Sequence, residues 1–244
     1  MPRLPRLPSP CLLCQRWQHQ PLCDTCLRRW RPEVHRCGRC ASPWRPALPH
    51  LACPHCEDPC PEFDRAIAAL DYVPPWRHLI TRFKFGQWPA LGPVLAGLLG
   101  EAVQARQAAA ATQPMNAGMA VDLVLPVPVS AERLRERGYN QAGVLARHTA
   151  RALHLPMRDN LLVRPGQAAR LATLDATERR LAIRGSFALT AEGTQAVRGR
   201  HIALVDDVLT TGATLDELSR LLRQAGARGV SAWVLARTPP PGWR

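Results

Sequence analysis

Short apolar runs alternate with stretches of helical periodicity from about residue 61 onward. Four of these runs are rich in aliphatic residues and too short for helices, which is typical of buried strands. They cover residues 66–72, 121–129, 202–205 and 229–238. We expect Pro126 and Pro128 to end the second strand, because proline removes donors from the ladder.

Between the runs, apolar residues recur three and four positions apart and predict helices over 76–85, over 89–106, and after residues 141 and 214. Residues 107–118 are low in complexity and are expected to form a loop or a frayed helix end. Alternating strands and helices predict an α/β fold, a parallel sheet with helices on both faces and a ligand site at the carboxyl ends of the strands. The expected buried faces of the first three helices are Leu79, Ile80 and Phe83; Leu91, Val94, Leu95, Leu98 and Leu99; and Val144, Leu145, His148 and Ala152.

Two adjacent acids, Asp206 and Asp207, follow the run at 202–205, and a turn of small and hydroxyl residues opens the next helix. The turn residues are Thr210, Thr211, Gly212, Ala213 and Thr214. Converging backbone N–H groups, a helix N-terminus and threonine hydroxyls form an anion site that fits a phosphate. Two carboxylates beside it can accept hydrogen bonds from vicinal hydroxyls or share a Mg²⁺ with the ligand, which suits a ribose 5-phosphate. The alternative is that the acids only cap a helix.

Arginines and amides cluster after the strand predicted at 121–129 and are expected to form a loop. Arginine side chains in such a loop are suited to hold pyrophosphate bidentately; the alternative is a solvated arginine face at a helix start. Lys84 is the only lysine and is either a surface charge or a phosphate contact. The cluster consists of Arg133, Arg135, Arg137, Gly138, Tyr139, Asn140 and Gln141.

Four Cys-x2-Cys pairs occupy the first 60 residues. Two such pairs supply the four thiolates of a closed, structural zinc site, so the array predicts one or two zinc ions. An interleaved arrangement, in which the first and third Cys-x2-Cys pairs share one ion, is also open. The cysteines could instead be redox-active or simply buried. Cys60, His50 and His55 are spare candidate ligands for the second set. Few large aliphatic residues accompany the pairs, so the metal is expected to supply folding energy. The first set is Cys11, Cys14, Cys23 and Cys26, and the second is Cys37, Cys40, Cys53 and Cys56.

The formal net charge of the 244-residue chain is +13, which is compatible with a polyanionic partner. The arginines are spread along the chain and only 5% of residues are aromatic, so charge alone does not single out a nucleic-acid surface. Nine cysteines without an apolar N-terminal segment point to metal ligands in an intracellular protein. The longest apolar stretches are too short and glycine-rich for membrane insertion, and we expect a soluble, cytoplasmic protein.

The stretch IALVDDVLTTGAT at 202–214 resembles the phosphoribosyl pyrophosphate (PRPP) motif of type I phosphoribosyltransferases. With the PVP and RGYNQ segments and the cysteine array, almost the whole chain is similar to the ComF (ComFC/GntX-type) family of competence-associated proteins. The matching positions outside the cysteines and 206–214 are Tyr72, Lys84, Pro126, Pro128, Arg133, Arg137, Gly138, Asn140 and Gln141.

The resemblance implies an N-terminal zinc module over residues 1–60 and a type I phosphoribosyltransferase-like domain over 61–244. Asp206 and Asp207 would face the ribose hydroxyls as the catalytic pair, and Thr210 to Thr214 would surround the 5-phosphate. PRPP with Mg²⁺ would be the ligand, with Arg133, Arg137 and Lys84 as further phosphate contacts.

A role in DNA uptake during natural transformation follows from the same resemblance, with DNA-uptake or recombination proteins as candidate partners. Two amides of the family pattern are replaced here by Leu171 and Ala182, while Arg164, Arg180 and Phe187 keep the frame. This departure favours an alternative, a non-catalytic adaptor that binds single-stranded DNA or a partner protein. Ordinary base salvage is disfavoured because such enzymes seldom carry a zinc module.

Overall fold

The computed structural model describes residues 8–44, 53–57, 60–86, 88–111, 120–165 and 183–240. The strands are β1 (Ser9–Pro10), β2 (Trp17–Gln18), β3 (Arg65–Asp71), β4 (Leu123–Pro126), β5 (Leu162–Val163), β6 (Ala188–Leu189), β7 (His201–Leu209) and β8 (Gly229–Arg237). The α-helices are α1 (Asp24–Trp30), α2 (Trp76–Phe85), α3 (Gly92–Ala111), α4 (Ala131–Arg137), α5 (Gln141–Ala152), α6 (Ala191–Ala196) and α7 (Ala213–Gln224).

Four parallel strands form the central sheet in the order β3-β8-β7-β4. All four are strands that the apolar runs predict. The last strand lies beside β7, as expected, with Val205 opposite Trp233. Two short antiparallel pairs, β1 with β2 and β5 with β6, lie outside this sheet.

Alternate residues of the sheet pack into two separate apolar cores. In β7, Ile202 and Leu204 point into one core together with α7, whereas Ala203 and Val205 point into the other. The second core is completed by α2, α3 and α5. Because successive side chains of a strand face opposite sides, this division confirms a parallel sheet covered by helices on both faces.

Two strand boundaries differ from the prediction. The strand expected from residue 121 begins two residues later, at Leu123, and it ends at Pro126, the first of the two prolines predicted to end it. Strand β7 continues four residues beyond Val205, because β8 pairs with it as far as Leu209. Asp206 and Asp207 therefore lie within the last residues of the strand rather than after it.

The arginine cluster is largely helical, and the predicted loop is wrong. Ser130 caps α4 by accepting a hydrogen bond from the backbone N–H of Arg133, and Gly138 ends the helix at a φ of 77°. This conformation is easy only for glycine. Arg133 and Arg137 consequently lie one helical turn apart on the same face of α4.

The helices on the second face are close to the expected ones. The first begins and ends at Trp76 and Phe85, and its three predicted residues are buried. Helix α3 begins after a 3₁₀ turn, Pro89–Leu91, and continues to Ala111, beyond the predicted end. In α5 the expected face is partly wrong, because Ala152 is exposed. The buried residues of α5 are Gln141, Ala142, Leu145, Ala146, Thr149 and Ala150.

The two cysteine segments contact different parts of the sheet domain. Near the first, the Trp76 indole N–H donates to the Trp30 carbonyl and Arg31 donates to the Leu98 carbonyl. Near the second, the Ala66 N–H donates to the Gly38 carbonyl, at the outer edge of β3. This contact covers an edge strand that would otherwise offer free backbone groups.

The division of the chain into two domains between residues 60 and 61 stays a prediction. Among the described helices, none is long and apolar enough to cross a bilayer.

A buried histidine lies at the amino end of the sheet, opposite the predicted site. His201 is 3% exposed, and its Nε2 is 2.7 Å from the Ser231 hydroxyl. That hydroxyl accepts a hydrogen bond from Arg65 Nε at 3.0 Å, so its proton is free to be donated to an unprotonated Nε2.

Burial lowers the pKa of His201, and the charges of Arg65 and Arg228 lower it further, against the opposing effect of Asp64 and Asp122. A histidine whose folded pKa is below its unfolded value of about 6.5 binds fewer protons in the native state. Its contribution to stability is therefore complete above about pH 6.5 and is lost as the pH falls below that value.

We predict that His201→Gln reduces the loss of stability between pH 7.5 and pH 5, because the variant has no group to protonate there. Urea denaturation at several pH values measures this. His78→Gln, at an exposed position of α2, is the matched control and keeps any pH dependence that arises from the cysteines. Equal pH profiles for the two variants would contradict the prediction.

Candidate functional site

The predicted strand, turn and helix of the phosphate loop are present. Strand β7 ends at Leu209, and α7 begins at Ala213. Gly212 has a φ of 90°, a conformation that glycine adopts without steric cost. The Ala213 N–H lies 3.5 Å from the Thr211 hydroxyl. The loop thus places amides and hydroxyls at the N-terminus of a twelve-residue helix, where an anion is favoured.

The two acids differ in their partners. Asp207 forms an ion pair with Lys84, whose Nζ lies 2.9 Å from Oδ1, and both side chains are largely buried. The Asp207 N–H donates to Asp206 Oδ1 at 2.8 Å. Lys84 therefore belongs to this site and is not an isolated surface charge.

Burial raises the pKa of Asp206 to about 7, and the neighbouring Asp207 carboxylate raises it as well. Lys84 and Arg137 oppose the shift. The charged form of a partly buried carboxylate beside another carboxylate is unfavourable. A cation or a hydrogen-bond donor from a ligand would relieve that cost, so the pair is suited to bind either one.

A cleft of about 120 Å³ opens beside the acids, and six of the predicted site residues line it. Four cations and two acids face it, so a polyanion with a local donor or cation is the complementary ligand. Four other residues of the predicted loop, Thr210 to Ala213, lie next to the cleft but are not part of its lining. Among the described residues, the lining consists of Lys84, Val127, Pro128, Val129, Arg133, Arg137, Asn140, Gln141, Ala142, Arg164, Asp206, Asp207 and Thr214.

Arg164 is a cleft residue that the sequence reasoning did not select as a ligand. It follows β5, and its guanidinium lies 5.0 Å from the centre of the Phe187 ring. Burial lowers the pKa of Arg164, and nearby Arg133 lowers it further. The one sequence signal for Arg164 is that it and Phe187 match the family pattern in this segment. Leu171, Arg180 and Ala182 lie outside the described residues.

Two buried polar atoms of the cleft residues have no hydrogen-bond partner within the described part of the chain. They are Arg137 Nε, a donor, and Asn140 Oδ1, an acceptor. The Asn140 amide nitrogen donates to the Val127 carbonyl at 3.1 Å. Unpaired buried polar atoms are costly, so this cleft is ready for a ligand with both acceptor and donor groups.

Gln141 connects the arginine helix to the lysine. Its Oε1 accepts from Arg137 Nη1 at 3.1 Å, and its Nε2 donates to the Lys84 carbonyl at 3.3 Å. The Tyr139 hydroxyl donates to the Phe83 carbonyl on the same helix end. The amide and the tyrosine of the RGYNQ segment therefore fix the position of Lys84.

The cysteines form two separate quartets. The four sulfur atoms of each quartet lie within 4.8 Å of one another. Two ligands of a tetrahedral zinc with bonds of about 2.3 Å are about 3.8 Å apart. The distances Cys14–Cys23 (3.7 Å), Cys37–Cys56 (3.7 Å) and Cys40–Cys53 (3.8 Å) fit this geometry. Both quartets thus have the donor set and spacing of a structural zinc site.

The pairing is sequential, and the interleaved alternative is wrong. Cys11, Cys14, Cys23 and Cys26 form the first quartet, and Cys37, Cys40, Cys53 and Cys56 form the second. Cys60 is exposed and belongs to neither group. The buried apolar cluster around the first quartet consists of three of its cysteines with Leu13, which agrees with folding energy supplied by a metal.

The phosphoribosyl transferase domain family matches residues 140–241. This range contains Asp206, Asp207, the turn at 210–214, Arg164 and two of the four strands of the central sheet, β7 and β8. Together with the four-stranded parallel sheet, it establishes a phosphoribosyltransferase-type fold.

Several curated proteins are similar over nearly the whole chain. The DNA utilization protein YhgH of Escherichia coli O157:H7 is 32% identical over 236 residues, covering 95% of this chain and 98% of that protein. Competence protein F of Haemophilus influenzae is 33% identical over 88% of this chain and 90% of its own length. Competence protein ComFC of Bacillus subtilis is 36% identical over 48% of this chain and 45% of its own.

We predict that Gln141→Leu destabilises the protein by about 1–3 kcal/mol, because the change leaves a buried carbonyl and a guanidinium N–H without a partner. Urea denaturation gives the value. Gln195→Leu on α6 is the control, since that glutamine is exposed and its replacement should cost no more than about 0.5 kcal/mol. Equal effects would show that the buried bonds are unimportant.

We predict two zinc ions per chain, one at each quartet. Cys14→Ser should reduce the number to one, because a closed site needs all four thiolates, whereas Cys60→Ser should leave two. Native mass spectrometry counts the bound ions. Loss of an ion from Cys60→Ser, or a single ion in the unaltered protein, would contradict the assignment of the quartets.

Proposed function

The chain belongs to the ComF family, and from that premise we propose that it binds PRPP at the carboxyl end of the sheet and acts in DNA uptake or use during natural transformation. The observation that carries the proposal is the juxtaposition of the Asp206–Asp207 pair with a cationic cleft and a phosphate loop. The relatives named for competence and DNA utilization support the biological role.

The 5-phosphate would bind at Thr210 to Thr214. Amide groups and hydroxyls there lie at the positive end of α7, and Thr214 also lines the cleft. The ribose would then lie over the acids, whose carboxylates accept hydrogen bonds from two vicinal hydroxyls. A diol donates without adding negative charge, which suits the buried position of Asp206.

The pyrophosphate would face the cations on the other side of the cleft. Arg133 and Arg137 share one face of α4, and Arg164 approaches from the end of β5. The free Arg137 Nε supplies a donor that no described residue uses. Guanidinium groups bind phosphate oxygens in pairs, so this set matches a diphosphate better than a single phosphate.

Asp206 and Asp207 would also serve Mg²⁺. Carboxylate oxygens are the ligands that this ion prefers, and the unpaired Asn140 Oδ1 is a further oxygen in the same cleft. When bound with PRPP, the ion neutralises charge on the pyrophosphate. Lys84 holds Asp207 in place for either ligand.

Transfer in this cleft would displace pyrophosphate from C1 of the ribose, with an acceptor forming the new bond. The chain's own residues would position the ribose and neutralise the leaving group. Within the part of the chain that the structure describes, the residues that line the cleft include neither histidine nor glutamate as an acceptor base. We therefore propose PRPP binding as the function of this cleft.

A second candidate function is an adaptor for single-stranded DNA. Three arginines stack on exposed aromatic side chains: Arg29 on Trp30, Arg82 on Trp88 and Arg137 on Phe85. Exposed aromatic rings beside cations are suited to stack bases and bind the backbone. This candidate predicts DNA affinity that falls steeply with salt, measured by fluorescence anisotropy of a labelled oligonucleotide. Absence of binding at low ionic strength would exclude it.

We predict that Asp206→Asn weakens PRPP binding at least tenfold, because a neutral amide oxygen is a weaker acceptor for the ribose hydroxyls and a weaker Mg²⁺ ligand than a carboxylate. Its thermal stability should be unchanged or higher, since a buried like charge is removed. Calorimetric titration with PRPP and Mg²⁺ measures the affinity. Asp159→Asn, at an exposed acid, is the control. Equal PRPP affinity in both folded variants would refute the proposed site.

A further inference from the structure

One arginine joins the second cysteine quartet to the phosphate loop. Arg237 is the last residue of β8, at the same edge of the sheet as the two acids. Its Nε donates to the Cys40 carbonyl at 3.2 Å, and its Nη1 donates to the Leu209 carbonyl at 2.9 Å and to the Thr210 carbonyl. A single rigid guanidinium thus contacts the cysteine segment and the first residue of the loop.

The backbone around Arg237 is fixed on both sides. Its carbonyl accepts from the Tyr72 N–H at 2.8 Å, and the Thr238 N–H donates to the Leu209 carbonyl at 3.0 Å. Arg237 is also paired with Leu209 in the sheet register. The side chain therefore starts from a defined position, and a shift of the Cys40 carbonyl must be taken up by the guanidinium or by the loop.

The position of the Cys40 carbonyl depends on the quartet. Cys37 and Cys40 lie in one tight turn, in which the Ala41 N–H donates to the Cys37 carbonyl and Ala41 has a φ of 54°. That strained turn brings two sulfurs into a group of four within 4.8 Å. A metal bound by all four sulfurs would link Cys37 and Cys40 to Cys53 and Cys56, so loss of the metal would remove the link that fixes this turn against the rest of the quartet.

The first quartet has no comparable connection among the described residues. Its segment contacts α2 and α3 through Trp30 and Arg31, on the face of the sheet away from α7. The two quartets are alike in chemistry but differ in what they touch. Within the described chain, the second quartet is the one positioned to affect the phosphate loop.

We propose that Arg237 is a positioning residue that couples metal binding at the second quartet to the conformation of the loop at Thr210 to Thr214, so that the metal and PRPP strengthen each other's binding. The effect on PRPP binding rests on the proposed function. The dependence of the loop conformation on the metal does not require PRPP to be the ligand.

Such coupling is reciprocal. If the metal at the second quartet raises PRPP affinity by some factor, PRPP must raise the affinity for that metal by the same factor. A redox or metal-supply signal that empties the quartet would then reduce PRPP binding without any change in the cleft itself. The second quartet would then have a regulatory role in addition to its structural one.

A double-mutant cycle tests the proposal in the full-length, zinc-loaded chain. The cycle compares the unaltered protein, Cys56→Ser, Arg237→Gln and the combined variant by calorimetric titration with PRPP and Mg²⁺. We expect Cys56→Ser to lower PRPP affinity at least fivefold when Arg237 is present and less than twofold when it is combined with Arg237→Gln. Arg237→Lys keeps the positive charge but not the planar set of N–H donors, so its PRPP affinity should lie between that of Arg237→Gln and that of the unaltered protein.

Arg228→Gln is the matched control, because Arg228 precedes the same strand at the opposite edge of the sheet and pairs with Asp122. Its PRPP affinity should still fall at least fivefold on Cys56→Ser. Equal metal dependence in Arg228→Gln and Arg237→Gln would overturn the proposal. If Cys56→Ser does not fold, partial removal of zinc by a chelator, with thiol labelling to identify the emptied quartet, replaces it.

The amide NMR signals of Thr210, Thr211 and Gly212, recorded without PRPP, separate the two ideas. They should shift when the second quartet is emptied in the unaltered protein and not in Arg237→Gln. Shifts of this kind together with no PRPP binding would refute the proposed function and keep the coupling. Signals that do not respond to the metal in the unaltered protein would refute the coupling, whatever PRPP does.

Discussion

Two carboxylates held side by side in the central strand are the constraint on which the site depends. Asp206 and Asp207 cannot both be charged at low cost in a partly buried position, and the raised pKa of Asp206 expresses that cost. Lys84 offsets the charge of Asp207. It can reach that carboxylate because it lies in the last turn of α2, which ends at Phe85. The second charge remains available for a ligand.

The position of Lys84 in turn explains the segment that follows β4. The Tyr139 hydroxyl and the Gln141 amide donate hydrogen bonds to the carbonyl groups of Phe83 and Lys84, and Gln141 also lines the cleft. Gln141 also holds Arg137, so the lysine and the arginine are set by one buried amide. Two cations on different helices, Lys84 and Arg137, are thereby fixed relative to each other, which is what preorganisation of a charged site requires.

The sequence predicts the four strands of the central sheet, most of the buried helix positions and the strand, turn and helix around 202–214, because period-two and helical patterns in apolar residues are strong local signals. It does not show that Arg133 and Arg137 lie on a helix, since the serine cap at 130 and the glycine at 138 are weak signals beside a run of charges. Arg164 and Arg237 can be identified as residues near the site only from the structure, in which β5 and β8 place them at the carboxyl end of the sheet. Contacts between residues that are distant in the sequence leave no local sequence pattern. Cysteine spacing likewise predicts ligands but not their pairing.

A crystal structure of the zinc-loaded protein soaked with PRPP and Mg²⁺ tests the central claim most directly. We expect the 5-phosphate on the amides of residues 211–214, the ribose diol at Asp206 and Asp207, and the pyrophosphate against Arg133, Arg137 and Arg164. A cleft without ligand at saturating PRPP, or PRPP bound away from the two acids, would contradict it.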